Sequence, residues 1–121
     1  MNKILIVDDA KLMRNIIKRT LLEDQEYVIF EAANGMDAVE SYKTNQPDLV
    51  TMDMTMEHKN GLDATRDILS FDQKAKIIIV TSLGQEELIE DCIKAGVKDF
   101  ILKPFTKEHI RTIVSRVLQL N

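Results

Sequence analysis

The chain has 121 residues, and 45% of them are apolar, which is typical of one globular domain. It carries 16 basic and 20 acidic residues, which give a net charge of −4. The acidic balance, with 5% aromatic residues and no tryptophan, excludes a surface built to neutralise phosphates or stack bases, so we expect no nucleic-acid partner. One cysteine, no secretion signal and no long apolar run predict a cytoplasmic protein that is not embedded in a membrane.

Short apolar runs alternate along the chain with stretches whose apolar residues recur at helical spacing. Runs this short, bounded by polar residues, predict buried strands. The runs are Ile4 to Val7, Val28 to Ala32, Leu49 to Met52, Ile77 to Val80 and Phe100 to Leu102. The helical stripes are Leu12, Met13, Ile16, Ile17 and Leu21, then Val39 and Tyr42, then Leu62, Thr65, Ile68 and Leu69, then Leu88, Ile89, Cys92 and Ile93, and finally Ile110, Ile113, Val114 and Val117.

Five strands that alternate with five helices predict an α/β fold, in which helices cover both faces of a parallel sheet. Asn34 and Asn60 stand where the second and third helices should begin, Gly96 where the fourth should end, and Thr106 where it can cap the fifth. The last helix runs almost to Asn121, which predicts a single domain over residues 1–121 without an output domain.

Polar side chains follow four of the five apolar runs. Asp8 and Asp9 follow the first, Asp53 the third, Thr81 the fourth and Lys103 the fifth. Ligands bind beyond the carboxyl ends of parallel strands, and three carboxylates meeting there need a compensating cation, for which an all-oxygen set favours Mg²⁺. Beside a lysine and a hydroxyl, an aspartate can be the nucleophile of phosphoryl transfer. Singly, each residue could be a cap or loop residue, so the combination carries this interpretation.

Four sequence motifs occur in a fixed order along the chain. They are Ile4-Leu5-Ile6-Val7-Asp8-Asp9, Pro47-Asp48-Leu49-Val50-Thr51-Met52-Asp53, Ile79-Val80-Thr81-Ser82 and Ala95-Gly96-Val97-Lys98-Asp99-Phe100-Ile101-Leu102-Lys103-Pro104-Phe105. Together they resemble the receiver domains of two-component response regulators, from Lys3 to about Leu118, and especially the stand-alone chemotaxis receivers of the CheY type. The resemblance implies a flavodoxin-like receiver fold with strand order 2-1-3-4-5.

The resemblance also implies a role for each acidic residue. Asp53 would accept the phosphoryl group, and Asp9 and Asp53 would bind Mg²⁺ directly, together with the backbone carbonyl of Thr55. Asp8 would act on the metal through water. Glu57 stands where the family commonly has a proline, which leaves the conformation of the loop after Asp53 open.

A conformational switch is implied as well. Thr81 would move toward the phosphoryl group, Lys103 would pair with that group, and Phe100 would change rotamer. The phosphodonor would be a histidine kinase and the target a flagellar motor switch or adaptor protein, bound on the surface of the fourth helix, fifth strand and fifth helix. The chain would assist its own phosphorylation and dephosphorylation rather than act as an enzyme. Thr55 and Leu83, which flank the phosphoryl group in this family, are neither acid nor amide, which predicts a long-lived phosphoryl state.

Other functions stay open at this point. A phosphorelay receiver, or a receiver that is part of a longer regulator, would carry the same site residues. An aspartate-nucleophile phosphatase would also place an aspartate after a strand, although its usual second aspartate is replaced here by Thr55. A flavin carrier would need a phosphate loop rich in serine and threonine where Asp8 and Asp9 stand.

Overall fold

Strands and helices alternate along the whole chain in the computed structural model, which describes residues 1–54, 56, 59–82 and 84–120. The strands are β1 (Lys3–Val7), β2 (Val28–Ala32), β3 (Leu49–Asp53), β4 (Ile77–Ser82) and β5 (Asp99–Lys103). The helices are α1 (Lys11–Asp24), α2 (Gly35–Asn45), α3 (Gly61–Phe71), α4 (Glu86–Ala95) and α5 (Lys107–Leu118). None of these helices is long and apolar enough to cross a membrane.

The strands form one parallel sheet in the order β2-β1-β3-β4-β5. The predicted fold class and strand order are therefore confirmed. β3 lies in the middle of the sheet, where Met52 pairs with Val7 of β1 and Asp53 pairs with Val80 of β4. Because the strands are parallel, their carboxyl ends meet along one edge of the sheet.

Two apolar cores, one on each face of the sheet, hold the helices in place. Toward α2, α3 and α4 the strands contribute Leu5, Val7, Val50, Met52, Ile77 and Ile79. Toward α1 and α5 they contribute Ile4, Ile6, Leu49, Ile78, Val80 and Ile101. Successive strand residues point to opposite faces, so β1 and β4 contain continuous apolar runs, and the run of β3 is interrupted only by Thr51. Cys92 is buried in the first core, as its place on the helical stripe predicts.

The predicted helix ends are confirmed at four positions. The side chains of Asn34, Asn60 and Thr106 each accept a hydrogen bond from the backbone N–H three residues later, at 2.8, 2.9 and 3.0 Å. Gly96 ends α4 in the left-handed region, with a φ of 116° that favours glycine. These caps fix where α2, α3 and α5 begin and where α4 ends.

The predicted stripe of α1 is wrong at two positions. Leu12 is 73% exposed and Ile16 is also exposed, whereas Ile17 and Leu21 are buried. The sheet and α5 cover only the side of α1 that carries Ile17 and Leu21, and Leu12 lies about 140° away from Ile17 around the helix. The stripe of α4 is wrong at Ile93, which is exposed, because α4 packs mainly against α3.

Two leucines of α1 provide a matched test of this arrangement. We expect Leu21→Ala to lower the free energy of unfolding by about 2–5 kcal/mol, because it leaves a cavity in the core. Leu12→Ala should change it by no more than about 0.5 kcal/mol, because that side chain already lies in water. Urea unfolding followed by circular dichroism measures both. Equal losses in the two variants would contradict the assignment of the Ile17 and Leu21 side of α1 as the buried side.

Candidate functional site

Five of the predicted site residues lie at the carboxyl edge of the sheet: Asp8, Asp9, Asp53, Thr81 and Lys103. Asp53 and Lys103 are the last residues of β3 and β5. Thr81 is the next to last residue of β4, and Asp8 directly follows β1. The strands thus extend slightly beyond the apolar runs, because backbone pairing such as that of Ser82 with Lys103 does not depend on an apolar side chain.

Three carboxylates converge at this edge. Asp8, Asp9 and Asp53 each offer one oxygen, and these oxygens lie within 4.8 Å of one another. Asp8 is only 2% exposed and Asp53 only 6%, whereas Asp9 is exposed. The ammonium nitrogen of Lys103 lies 3.3 Å from Oδ1 of Asp53 and 3.5 Å from Oδ2 of Asp8. One cation therefore faces two buried anions and a third at the surface.

Burial makes the Asp53 carboxylate hard to ionise. The pKa of Asp53 is raised from 3.8 to about 6, chiefly by burial and next by the charge of Asp8. Lys103 lowers it in part, and Asp9 adds a smaller increase. The direction shows that Lys103 does not fully compensate the cluster. Additional positive charge at this edge would therefore be stabilising.

The donor atoms of the cluster fit a hard divalent cation such as Mg²⁺. Oδ1 of Asp8 accepts a hydrogen bond from the backbone N–H of Ala10 at 2.9 Å. Its Oδ2 is buried and has no hydrogen-bond partner among the described residues, apart from the ion-pair distance to Lys103. A buried oxygen without a hydrogen bond, beside two further carboxylates, is suited to ligation directly or through a water.

A cavity of about 250 Å³ opens beside these carboxylates. Its lining consists of Asp8, Asp9, Ala10, Met13, Asp53, Thr81, Ser82, Gln85 and Lys103. The structure thus brings the predicted residues Asp8, Asp9, Asp53, Thr81 and Lys103 around one space. The sequence places Ser82 beside Thr81 at the end of the fourth strand, although we assigned it no role. Met13 and Gln85 were not predicted as site residues, and the place of Gln85 depends on where α4 begins.

Arg14 is a further residue that the sequence reasoning missed. Its guanidinium donates a hydrogen bond to the backbone carbonyl of Asp8 at 2.7 Å and another to the Glu31 carboxylate at 3.0 Å. Arg14 thereby joins α1 to the end of β1 and to the edge strand β2. No pattern in the sequence marks this contact, because it depends on how α1 packs across two strands.

Met54, directly after Asp53, contacts the start of α3. The backbone N–H of Gly61 donates to the carbonyl of Met54 at 3.1 Å. A side chain at Gly61 would collide with the backbone carbonyl of Asp53, so the close approach requires glycine. The predicted carbonyl ligand Thr55 and the loop residue Glu57 lie outside the described residues, and both expectations stay predictions.

Phe100 lies apart from the carboxylate cavity, on the edge strand β5. It is 37% exposed and lines two other cavities, one toward α4 and one toward α5. Its neighbour on β4 is Ile79, and Thr81 pairs two residues further along with Leu102. Thr81 and Phe100 therefore lie on the adjacent strands β4 and β5, so a movement of one can affect the other across this strand pair.

Comparison with known proteins shows which family has this arrangement. The model of the response regulator receiver domain matches residues 4–115. The chain belongs to the response regulator receiver family. The match confirms the resemblance. The chain is a receiver domain of a two-component signalling system.

Individual relatives of this receiver agree with that assignment. Protein CcdB of Bacillus subtilis is 50% identical over 119 residues, which cover 98% of each chain. Chemotaxis protein CheY of Bacillus subtilis is 44% identical over 117 residues, covering 97% of this chain and 98% of the relative. The crystal structure of the CheX–CheY–BeF₃–Mg²⁺ complex from Borrelia burgdorferi matches with a TM-score of 0.92 and 32% identity, over 98% of this chain and 90% of that chain.

The raised pKa of Asp53 makes the stability of this receiver depend on pH. Native Asp53 has a pKa of about 6 against an ordinary value of 3.8, so between these values the native state binds more protons than the unfolded state. Without divalent cations, stability should fall as pH rises through this window. We expect Asp53→Asn to lack that fall and to be about 1–3 kcal/mol more stable than the parent at neutral pH.

Urea unfolding in the presence of a chelator, repeated across this pH window, measures the effect. Glu40→Gln, which changes an exposed carboxyl in α2, is the matched control and should retain the pH dependence of the parent. Parallel stability curves for the parent and Asp53→Asn would contradict the electrostatic description of the site.

Proposed function

We propose that this receiver is switched by a phosphoryl group that Asp53 accepts from the phosphohistidine of a histidine kinase, with Mg²⁺ bound beside it. One observation carries the proposal: the buried Asp53 carboxylate lies 3.3 Å from Lys103, with the oxygens of Asp8 and Asp9 within 4.8 Å. This arrangement puts a nucleophile, a cation and metal-ligand oxygens around a space that can hold a phosphoryl group.

The transfer is a displacement at phosphorus. A carboxylate oxygen of Asp53 attacks the phosphorus, the bond between phosphorus and the histidine nitrogen breaks, and its electron pair stays on the imidazole. Lys103 stabilises the phosphoryl oxygens as a compact positive charge, and the Thr81 hydroxyl donates a hydrogen bond to one of them. These two residues line the same cavity as Asp53, which supports their roles.

The acidic residues would hold the metal. Asp9 and Asp53 would be direct ligands of Mg²⁺, together with the backbone carbonyl of Thr55, and Asp8 would act through water. The chemistry that bound Mg²⁺ supplies is neutralisation of charge on the phosphoryl oxygens. The raised pKa of Asp53 and the unpartnered buried oxygen of Asp8 support a cation at this place.

The phosphoryl group would act on a distant surface through β4 and β5. Thr81 moves toward the phosphoryl oxygen, and the space that it leaves lets Phe100 turn inward from the edge strand. A cavity of about 260 Å³ between α4 and β5, lined in part by Phe100 and Ile89, supports this movement. The affinity of the α4, β5 and α5 surface for a partner changes because the new hydrogen bond exists only in the phosphorylated state.

The relatives suggest where the switch operates. Several relatives covered over nearly their whole length are named chemotaxis protein CheY, which supports a role in chemotaxis. The proposal places this role in the cytoplasm, with a flagellar motor switch or adaptor protein as the target. The Bacillus subtilis relative at 50% identity carries another name, CcdB. The same chemistry in a different two-component or phosphorelay pathway is therefore the second setting to test.

Mass spectrometry tests the phosphoacceptor. After incubation with acetyl phosphate and Mg²⁺, the parent should gain the mass of a single phosphoryl group, and Asp53→Asn should gain none. Asp24→Asn, which changes an exposed aspartate at the end of α1, is the control and should be phosphorylated like the parent. Hydrolysis of added phosphomonoesters without a stable adduct would identify a phosphatase instead.

Thermal and urea unfolding test the metal site. At ten times its dissociation constant, Mg²⁺ should stabilise the parent by about 1.4 kcal/mol, because only the native state assembles the ligands. Asp9→Asn should lose this stabilisation and its phosphorylation, yet unfold cooperatively in a chelator, since Asp9 is exposed. An Asp9→Asn variant that responds to Mg²⁺ like the parent would remove Asp9 from the metal site.

A further inference from the structure

Gln85 lines the carboxylate cavity, and its side chain does not cap its helix. Gln85 is the N-cap residue of α4, and its backbone carbonyl accepts the hydrogen bond of the Ile89 N–H at 2.9 Å. Unlike the N-cap side chains of α2, α3 and α5, that of Gln85 makes no capping hydrogen bond. It is partly buried and lines the cavity together with Asp53. The amide is therefore available to a molecule in that cavity.

Among the described residues that line the cavity, Gln85 is the only amide. The three carboxylates accept hydrogen bonds but carry negative charge and are assigned to the metal, while Lys103 can only donate. The Thr81 hydroxyl is assigned to a phosphoryl oxygen, which leaves the short Ser82 hydroxyl and the longer Gln85 amide as neutral acceptors in the described lining. An amide offers a neutral oxygen that can accept a hydrogen bond from water without repelling a phosphoryl dianion. The cavity, about 250 Å³, has room for a phosphoryl group and several waters.

We propose that Gln85 positions the water that hydrolyses the phosphoryl group on Asp53, and that it thereby sets the lifetime of the signal. The inference rests on the proposed function. The Gln85 side-chain oxygen accepts a hydrogen bond from the water while the water oxygen attacks phosphorus. The bond between phosphorus and the Asp53 oxygen breaks, and its electron pair restores the carboxylate. Both protons of the water leave with the product, dihydrogen phosphate.

This role changes the lifetime predicted from the sequence. Thr55 and Leu83, which lie outside the described residues, predict slow hydrolysis because neither is an acid or an amide. Gln85 supplies an amide from a different position, four residues after Thr81, at the first turn of α4. The lifetime is therefore shorter than Thr55 and Leu83 alone would give.

The decay of the phosphorylated protein tests the proposal. The parent, Gln85→Met and Gln73→Met are loaded with acetyl phosphate and Mg²⁺, the donor is removed, and the remaining phosphoprotein is followed by intact mass. Methionine keeps the approximate length of the side chain and removes its amide. We expect decay in Gln85→Met to be about fivefold to twentyfold slower, the size of effect expected for one lost hydrogen bond in the transition state. Gln73, an exposed amide before β4, is the matched control.

A second measurement separates action on the water from a structural effect on α4. Beryllofluoride binds as a phosphoryl analogue that is not hydrolysed, so its affinity for Gln85→Met should stay within about twofold of the parent value. Decay at the parental rate, or a loss of beryllofluoride affinity equal to the change in decay, would overturn the proposal. If Asp53 takes up no phosphoryl group in the parent, the proposed function fails and this inference with it. Normal uptake with unchanged decay overturns the inference alone.

Discussion

The ammonium group of Lys103 holds two buried carboxylates in one small volume. It lies 3.3 Å from Asp53 and 3.5 Å from Asp8, although these residues come from three different strand ends. The contact exists only because β1, β3, β4 and β5 are parallel and finish at the same edge, with β4 between β3 and β5. The sheet order, the two apolar cores and the helix positions all serve to keep these ends together.

Lys103 offsets only part of the cost of burying the Asp53 charge beside Asp8, as the raised pKa of Asp53 shows. The remaining unfavourable electrostatic free energy is offset by apolar burial in the two cores, whose residues from β1, β3 and β4 are almost completely buried. A site that is unfavourable alone can persist where the surrounding structure over-determines it. Because the negative charge of Asp53 is only partly compensated, the site favours a bound cation. The unfavourable electrostatic free energy of the empty site is relieved on binding and so adds to the affinity for that cation.

The sequence was sufficient to predict the strands and which polar residues lie together at the sheet edge. Strands buried on both faces appear as apolar runs, and the ends of parallel strands must meet, so Asp8, Asp53 and Lys103 could be grouped without a structure. The exposure of Leu12 could not be predicted, because the apolar character of a helical residue does not indicate which side of the helix packs against the sheet. Arg14 was missed because its contacts depend on how α1 crosses the strands.

Gln85 was missed for a related reason. Its access to the cavity depends on the path from β4 into α4, which passes through Gly84 with a φ of 93°. Sequence spacing does not specify such a path. The roles of Thr55, Glu57 and Leu83 stay predictions of the sequence, since these residues lie outside those that the structure describes.

The weak attachment of α4 has a consequence for local unfolding. Of the residues of this helix only Cys92 is buried, and α4 packs mainly against α3 rather than against the sheet. Segments with few buried contacts open at a lower free energy than the core strands. Amide hydrogens of α4 should therefore exchange with solvent well before those of β3, so the helix that follows Gln85 should open independently of the strand that carries Asp53.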